Sequence, residues 1–231
     1  MAGDLGGQPL VAAVSMRRLV PILWLSVTAG CALPPRPPVG APPPPAVTAP
    51  SHDVVAGSVV IRVDPDGPLA GLGHRHLIRS EALAGTVAMG EPVTQTGFTL
   101  ELPLASLEVD PPDAVADVPE ERRLATRRNM LGPAVLDAAR FPVLTLTAQQ
   151  ISGGPESFVA RTQVGLRGAS HSIDVPVRLQ IDGSRLIATG EFTVSHADLG
   201  LRPFAVGMGA LRVAETIVIR YRLEARPRGN A

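Results

Sequence analysis

Histidine is the side chain with the widest chemical range in this sequence, and the spacing of its five copies directs several of them to one place. In Leu72-Gly-His-Arg-His-Leu-Ile78, His74 and His76 stand two residues apart. On a strand both would project from one face, together with Leu72 and Ile78. His196 shares parity with Leu186, Phe192 and Val194, and Glu215 shares parity with Val213, Ile217 and Ile219. If those strands run unbroken, imidazoles and a carboxylate enter one interior, a donor set that suits Zn²⁺, Cu²⁺ or Fe²⁺. A metal or haem enzyme or sensor using His74, His76 and His196, with Glu215, is therefore one reading. The other makes them hydrogen-bonded core and turn residues, because parity is lost across a bulge. His171, placed in the turn before Ile173, would be a fourth imidazole or a partner of the local backbone. His52, at the edge of the folded part, is expected in solvent.

Other chemistries are excluded by what the chain lacks. All 21 basic residues are Arg, so no lysine exists for a Schiff base or a phosphate-binding loop. Ser170 lies beside His171, but adjacency does not make a catalytic triad, and no G-x-S-x-G elbow occurs. Lys+Arg 21 balances Asp+Glu 21 with no basic stripe, which argues against a nucleic-acid partner. Cys31 is the single cysteine, so neither an intrachain disulfide nor a thiolate metal cage can form.

The surroundings of Cys31 give it a different role. Arg17 and Arg18 precede an uncharged apolar run from Leu19 to Val27, and the small residues Thr28, Ala29 and Gly30 lead into Cys31. This is the order of parts in an export signal. The run is too short to cross a hydrocarbon core of about 30 Å as a helix. Val-Thr-Ala-Gly-Cys resembles the lipobox of bacterial lipoproteins, with Thr28 where that pattern usually has Leu. The resemblance implies acylation of Cys31, cleavage before it and attachment to a membrane. Residues 1–30 are then the signal, with translation starting at Met16, because the stretch before it carries Asp4 and no basic residue. Ala32 lacks the acidic character that marks inner-membrane retention, so the periplasmic face of an outer membrane is expected. Residues 31–51 are crowded with proline, from Pro34 to Pro50, and read as a semi-rigid polyproline II spacer.

The elements that must position the histidines lie in residues 52–226, ahead of a short tail at 227–231. Period-two alternation dominates. Ile173, Val175, Val177, Leu179 and Ile181 share one face, and Asp174, Arg178, Gln180 and Asp182 the other. The same pattern holds for Phe98, Leu100, Leu102 and Leu104 between Gly97 and Val109, and for Leu144, Leu146 and Ala148. It returns in Leu186, Ala188, Phe192 and Val194, and in Val213, Ile217, Ile219, Tyr221 and Leu223. Turn signals at Asp64-Pro-Asp-Gly67, Gly153-Gly-Pro155 and Asp182-Gly-Ser184 separate these runs. An all-β, antiparallel sheet closed on itself is the expected architecture. One stretch breaks the period: Pro119 to Leu131 and then Ala134 to Arg140 read as two helical pieces split by Gly132-Pro133, with Glu120 and Glu121 in the first turn. This excursion is expected to cap one end of the barrel.

Phe192-Thr-Val-Ser-His-Ala-Asp-Leu-Gly-Leu-Arg-Pro-Phe, continuing to Ile219, resembles the closing strands of the YceI-like family. Asn129-Met-Leu with Val135-Leu-Asp-Ala-Ala-Arg-Phe-Pro-Val-Leu-Thr-Leu is similar to that family's helix and aromatic-Pro step, and Gly165-Leu-Arg-Gly-Ala-Ser-His171 to its turn before an alternating strand. The resemblance covers about Val54 to Ala225. It implies a lipocalin-like barrel whose apolar interior holds a polyprenyl or quinone tail, or another amphiphilic lipid, without catalysis and without a cofactor. A barrel of about eight strands encloses at most one slender ligand. Aromatics are only 3% of the chain, so the walls would be aliphatic and suited to a methyl-branched chain. The wall residues expected to meet it are Leu100, Leu102, Leu144, Leu146, Val175, Val177, Leu179, Phe192, Ile217 and Ile219. A barrel packed solid by its own side chains is the alternative.

Overall fold

The computed structural model describes residues 51–228, so the export signal, Cys31 and the proline-rich spacer lie outside the described residues. The alternation seen in the sequence becomes strands β1 (Ser51–Asp66), β2 (His76–Ser80), β3 (Ala84–Ala88), β4 (Gly97–Pro103), β5 (Glu108–Val109), β6 (Val143–Gly153), β7 (Ser157–Leu166), β8 (Ala169–Asp182), β9 (Arg185–Ser195), β10 (Ala205–Val206) and β11 (Leu211–Pro227). Neighbours run antiparallel in the order β1, β3, β4, β6, β7, β8, β9, β11, and β11 returns to β1. That closing pair is long, from His52 opposite Pro227 to Asp66 opposite Arg212, so this eight-stranded ring has no free edge. Outside the ring, β2 adds to the upper part of β1 and carries β5, while β10 adds to β11.

Turn chemistry sets these registers. Between β7 and β8, Arg167 and Gly168 both take positive φ, 53° and 74°, as a two-residue hairpin of the primed type requires. The guanidinium of Arg167 then donates to Val135 O at 2.9 Å and Pro133 O at 3.2 Å, tying the hairpin to the excursion between β5 and β6.

That excursion is helical only in its first half. Helix α1 (Glu120–Leu131) begins after Pro119, whose φ of −57° is already helical, carries Glu120 and Glu121 in its first turn and Arg128 in its last, and stops at Gly132. The expected second piece, Ala134 to Arg140, is a set of turns. Pro133 cannot continue a helix, and Asp137, at φ 48°, donates back to Gly132 O while Leu136 donates to Met130 O. The chain therefore folds onto the end of α1.

Several expectations of register also change. The run from Gly97 to Val109 breaks after Pro103 into a 3-10 turn, although Leu104 remains 1% exposed within the core. Ile181 was expected on the buried face, but at 60% exposure it passes the rim where β8 turns into β9. His52, expected in solvent, is buried on β1 opposite Val87 and Pro227, because strand pairing starts at the very edge of the folded part.

Candidate functional site

The interior holds a cavity of about 240 Å³. Leu100, Leu102, Leu144, Leu146, Val175, Val177, Leu179, Phe192, Ile217 and Ile219 all line it. The period of two placed them there, since successive side chains alternate across a closed sheet. Sequence reasoning passed over Val59 and Ile61, whose alternation along β1 was a legible signal, and Leu136, which reaches the cavity from an irregular turn. The polar residues in the wall spend their polar atoms elsewhere. Thr162 Oγ1 donates to Ala160 O at 3.0 Å, Tyr221 Oη donates to Pro176 O at 2.8 Å, and Thr96 Oγ1 accepts from the Gly90 N–H at 3.1 Å. Burial pushes the Tyr221 phenol well above its ordinary range, so it stays neutral. No charge projects from the lining residues, and a space many times larger than the roughly 10–15 Å³ one water needs is walled by hydrocarbon.

A second cavity, of about 390 Å³, is of different character. Val63, Ile78 and Val213 form its apolar side, α1 contributes Arg122, Thr126, Asn129 and Met130, and His74, His76 and His196 also line it. The excursion thus walls this cavity, and its Leu136 reaches the first one.

The histidines arrive there by routes that parity did not foresee. His76 opens β2, but His74 precedes the strand, and Leu72 lies in a 3-10 turn at 79% exposure rather than on a shared apolar face. The two rings meet edge to face with centroids 4.4 Å apart. His196 is buried just past the end of β9, where the backbone turns into a 3-10 segment. Its N–H and its ring Nδ1 both lie 2.9 Å from Glu215 O. The Glu215 carboxylate itself is exposed and does not join the histidines: β11 carries extra residues between Val213 and Ile217 relative to β1, and this bulge turns it outward. His171 lies within β8, opposite Val164, and not in the turn. Its ring packs over Gly200, where φ is 64° and an added Cβ would overlap His171 Cε1.

The residue that completes the polar cluster is Asp110, which the sequence did not single out. It follows β5, is fully buried, and takes a left-handed φ of 49°. Aspartate tolerates that conformation better than most residues. Its Oδ2 lies 2.8 Å from His76 Nδ1 and 3.2 Å from His74 Nε2. The Leu77 N–H donates to Oδ1 at 2.8 Å, and the Asp110 N–H donates to Leu77 O at 2.7 Å. The flanking loops are pinned. Arg127 on α1 donates to Leu107 O at 2.8 Å and Ala105 O at 2.6 Å, and Arg79 forks onto Asp113 at 2.6 and 3.1 Å.

Comparison with known proteins gives this architecture a family. The YceI-like domain model matches residues 62–225. The chain belongs to the YceI-like family. Among solved structures, this YceI-like chain is similar to Burkholderia cenocepacia BcnA, with TM-score 0.56 and 14% identity over 73% of this chain and 95% of that one. It is similar to a polyisoprenoid binding domain from Saccharophagus degradans, implicated in plant cell wall breakdown, with TM-score 0.54 and 13% identity over 77% and 98% of the two chains. It also resembles the Campylobacter jejuni YceI protein, with TM-score 0.50 and 10% identity over 66% and 85%. At these identities the likeness is one of fold. No curated protein matches the chain.

Proposed function

We propose that this YceI-like protein carries or sequesters an isoprenoid, or a comparable amphiphile with a long apolar tail, and acts by binding rather than by catalysis. The observation that carries this reading is the cavity of about 240 Å³ whose wall is hydrocarbon throughout, its few polar atoms bonded to backbone. Burial of a tail there releases roughly 25 cal/mol for each Å² of apolar surface removed from water. A branched chain needs no charged partner in such a site. The polyisoprenoid binding of the Saccharophagus degradans domain supports the same ligand class.

We further propose that acylated Cys31 anchors the protein in the cell envelope, at the periplasmic face of an outer membrane. The basic-apolar-small order from Arg17 to Cys31 supports the anchor, and the proline-rich spacer would hold the barrel clear of the lipid surface.

Organic extraction of the natively purified protein, followed by mass spectrometry, tests the ligand reading. A stoichiometric prenyl or other long-chain compound is expected, and added prenyl alcohol should raise the melting temperature by linkage. Ala188→Trp places a large ring in the lined space and should abolish both effects while leaving the circular dichroism spectrum intact. An extract empty of apolar compounds, together with no thermal shift on adding prenyl alcohol, would refute it.

A further inference from the structure

We propose that His74, His76 and Asp110 bind one divalent transition-metal ion of the Zn²⁺, Cu²⁺ or Ni²⁺ class beside the second cavity. Among the described residues they are the cluster whose donor atoms converge, all lying within 4.8 Å of one another. The separations from Asp110 Oδ2, 2.8 Å to His76 Nδ1 and 3.2 Å to His74 Nε2, are hydrogen-bond distances that bring all three donors to one point. Bonds of 2.0–2.1 Å in a tetrahedron place ligand atoms about 3.3 Å apart, so small shifts suffice for binding.

The donor types fix the class of ion. Imidazole nitrogens with a single carboxylate oxygen suit borderline first-row metals, whereas Ca²⁺ or Mg²⁺ would ask for oxygen donors. The carboxylate is held as an outer hydrogen bond holds a metal ligand. Leu77 N–H occupies Oδ1, leaving Oδ2 to face both rings, and the left-handed backbone at Asp110 aims it there. A fully buried carboxylate needs a positive partner, and a metal ion held with the two rings supplies one. Solvent reaches the cluster at the rings and not at the carboxylate: the His74 side chain is 42% exposed, His76 20% and Asp110 0%. Three protein ligands leave a coordination position for water, or for an oxygen of whatever enters the cavity. The ion would also cross-link β2 to the chain after β5, adding to a short ladder of two residue pairs and to the hydrogen bonds between Leu77 and Asp110.

This site stands independently of the tail-binding reading, since none of the three residues lines the apolar cavity. The test uses the full chain, purified without a histidine tag and treated with chelator. Zn²⁺ and Co²⁺ are titrated in by calorimetry, and metal content is read by mass spectrometry. One ion per chain is expected, with Co²⁺ giving visible absorption of four- or five-coordinate character. His74→Ala and His76→Ala should each weaken binding by at least about tenfold, while His171→Ala should not. Asp110→Asn should do the same. If burial makes that variant unstable, His74→Ala decides the matter, because its side chain is partly exposed and its loss spares the fold. Absence of saturable binding in the wild type, or unchanged affinity in His74→Ala, would overturn the proposal.

Discussion

Val177→Asp tests the assignment of barrel faces most severely. Val177 is 7% exposed, lines the apolar cavity, and packs in a cluster with Ile151, Phe158 and Ala160. Losing the burial of a valine costs about 1.5–3 kcal/mol. A polar group placed without a partner in that wall adds about 1–3 kcal/mol. The sum, about 2.5–6 kcal/mol, is a large part of the roughly 5–15 kcal/mol by which domains are stable. The adjacent Arg178 is exposed on the opposite face of β8, and Arg178→Asp should stay within about 0.5 kcal/mol of the wild type. Urea unfolding followed by far-ultraviolet circular dichroism is the assay, since Trp24, the only tryptophan, lies in the signal region. The pH dependence adds a second signature. Desolvation raises the pKa of the introduced carboxyl in the folded state, so the unfolded chain releases its proton first as pH rises. The deficit of Val177→Asp should therefore grow from acid toward neutral pH. Equal stability of the two variants would refute the face assignment, and a deficit independent of pH would refute the dry wall.

Two further outcomes follow from the same framework. Tyr221→Phe removes the hydrogen bond to Pro176 O and should cost about 1 kcal/mol. Because burial raises this phenol, stability should be full below the ordinary tyrosine pKa and decline as pH rises through the window between that value and the raised one; the near-ultraviolet absorbance of tyrosinate reports it directly, since the chain has a single tyrosine. Titration of that absorbance at the ordinary value in the folded protein would contradict the burial. Cys31→Ser should release the protein from membranes and abolish incorporation of a clickable fatty acid, because stable attachment needs more than one acyl chain; equal labelling of wild type and variant would exclude the anchor.

The sequence by itself determined what depends on neighbours along the chain. Alternation in β8 and β11 put Val175, Val177, Ile217 and Ile219 on the inner wall, because the side-chain period of a strand is a local property of its backbone. Pro119, the paired glutamates and Gly132 likewise bounded α1. Where that reading failed, a local rule met a non-local event. Ile181 ran past the rim, the β11 bulge turned Glu215 outward, and Asp137 folded a segment that read as helix. The tertiary structure alone decided the composition of the polar cluster. Asp110 is 34 residues beyond His76, and no pattern in either segment pairs them. They meet because β2 lies along β1 and β5 along β2, and the antiparallel pairing of β5 with β2 carries the end of β5 to the start of β2. Short-range sterics write the faces of strands into the sequence, whereas the meeting of distant side chains is fixed only when the whole sheet selects its register.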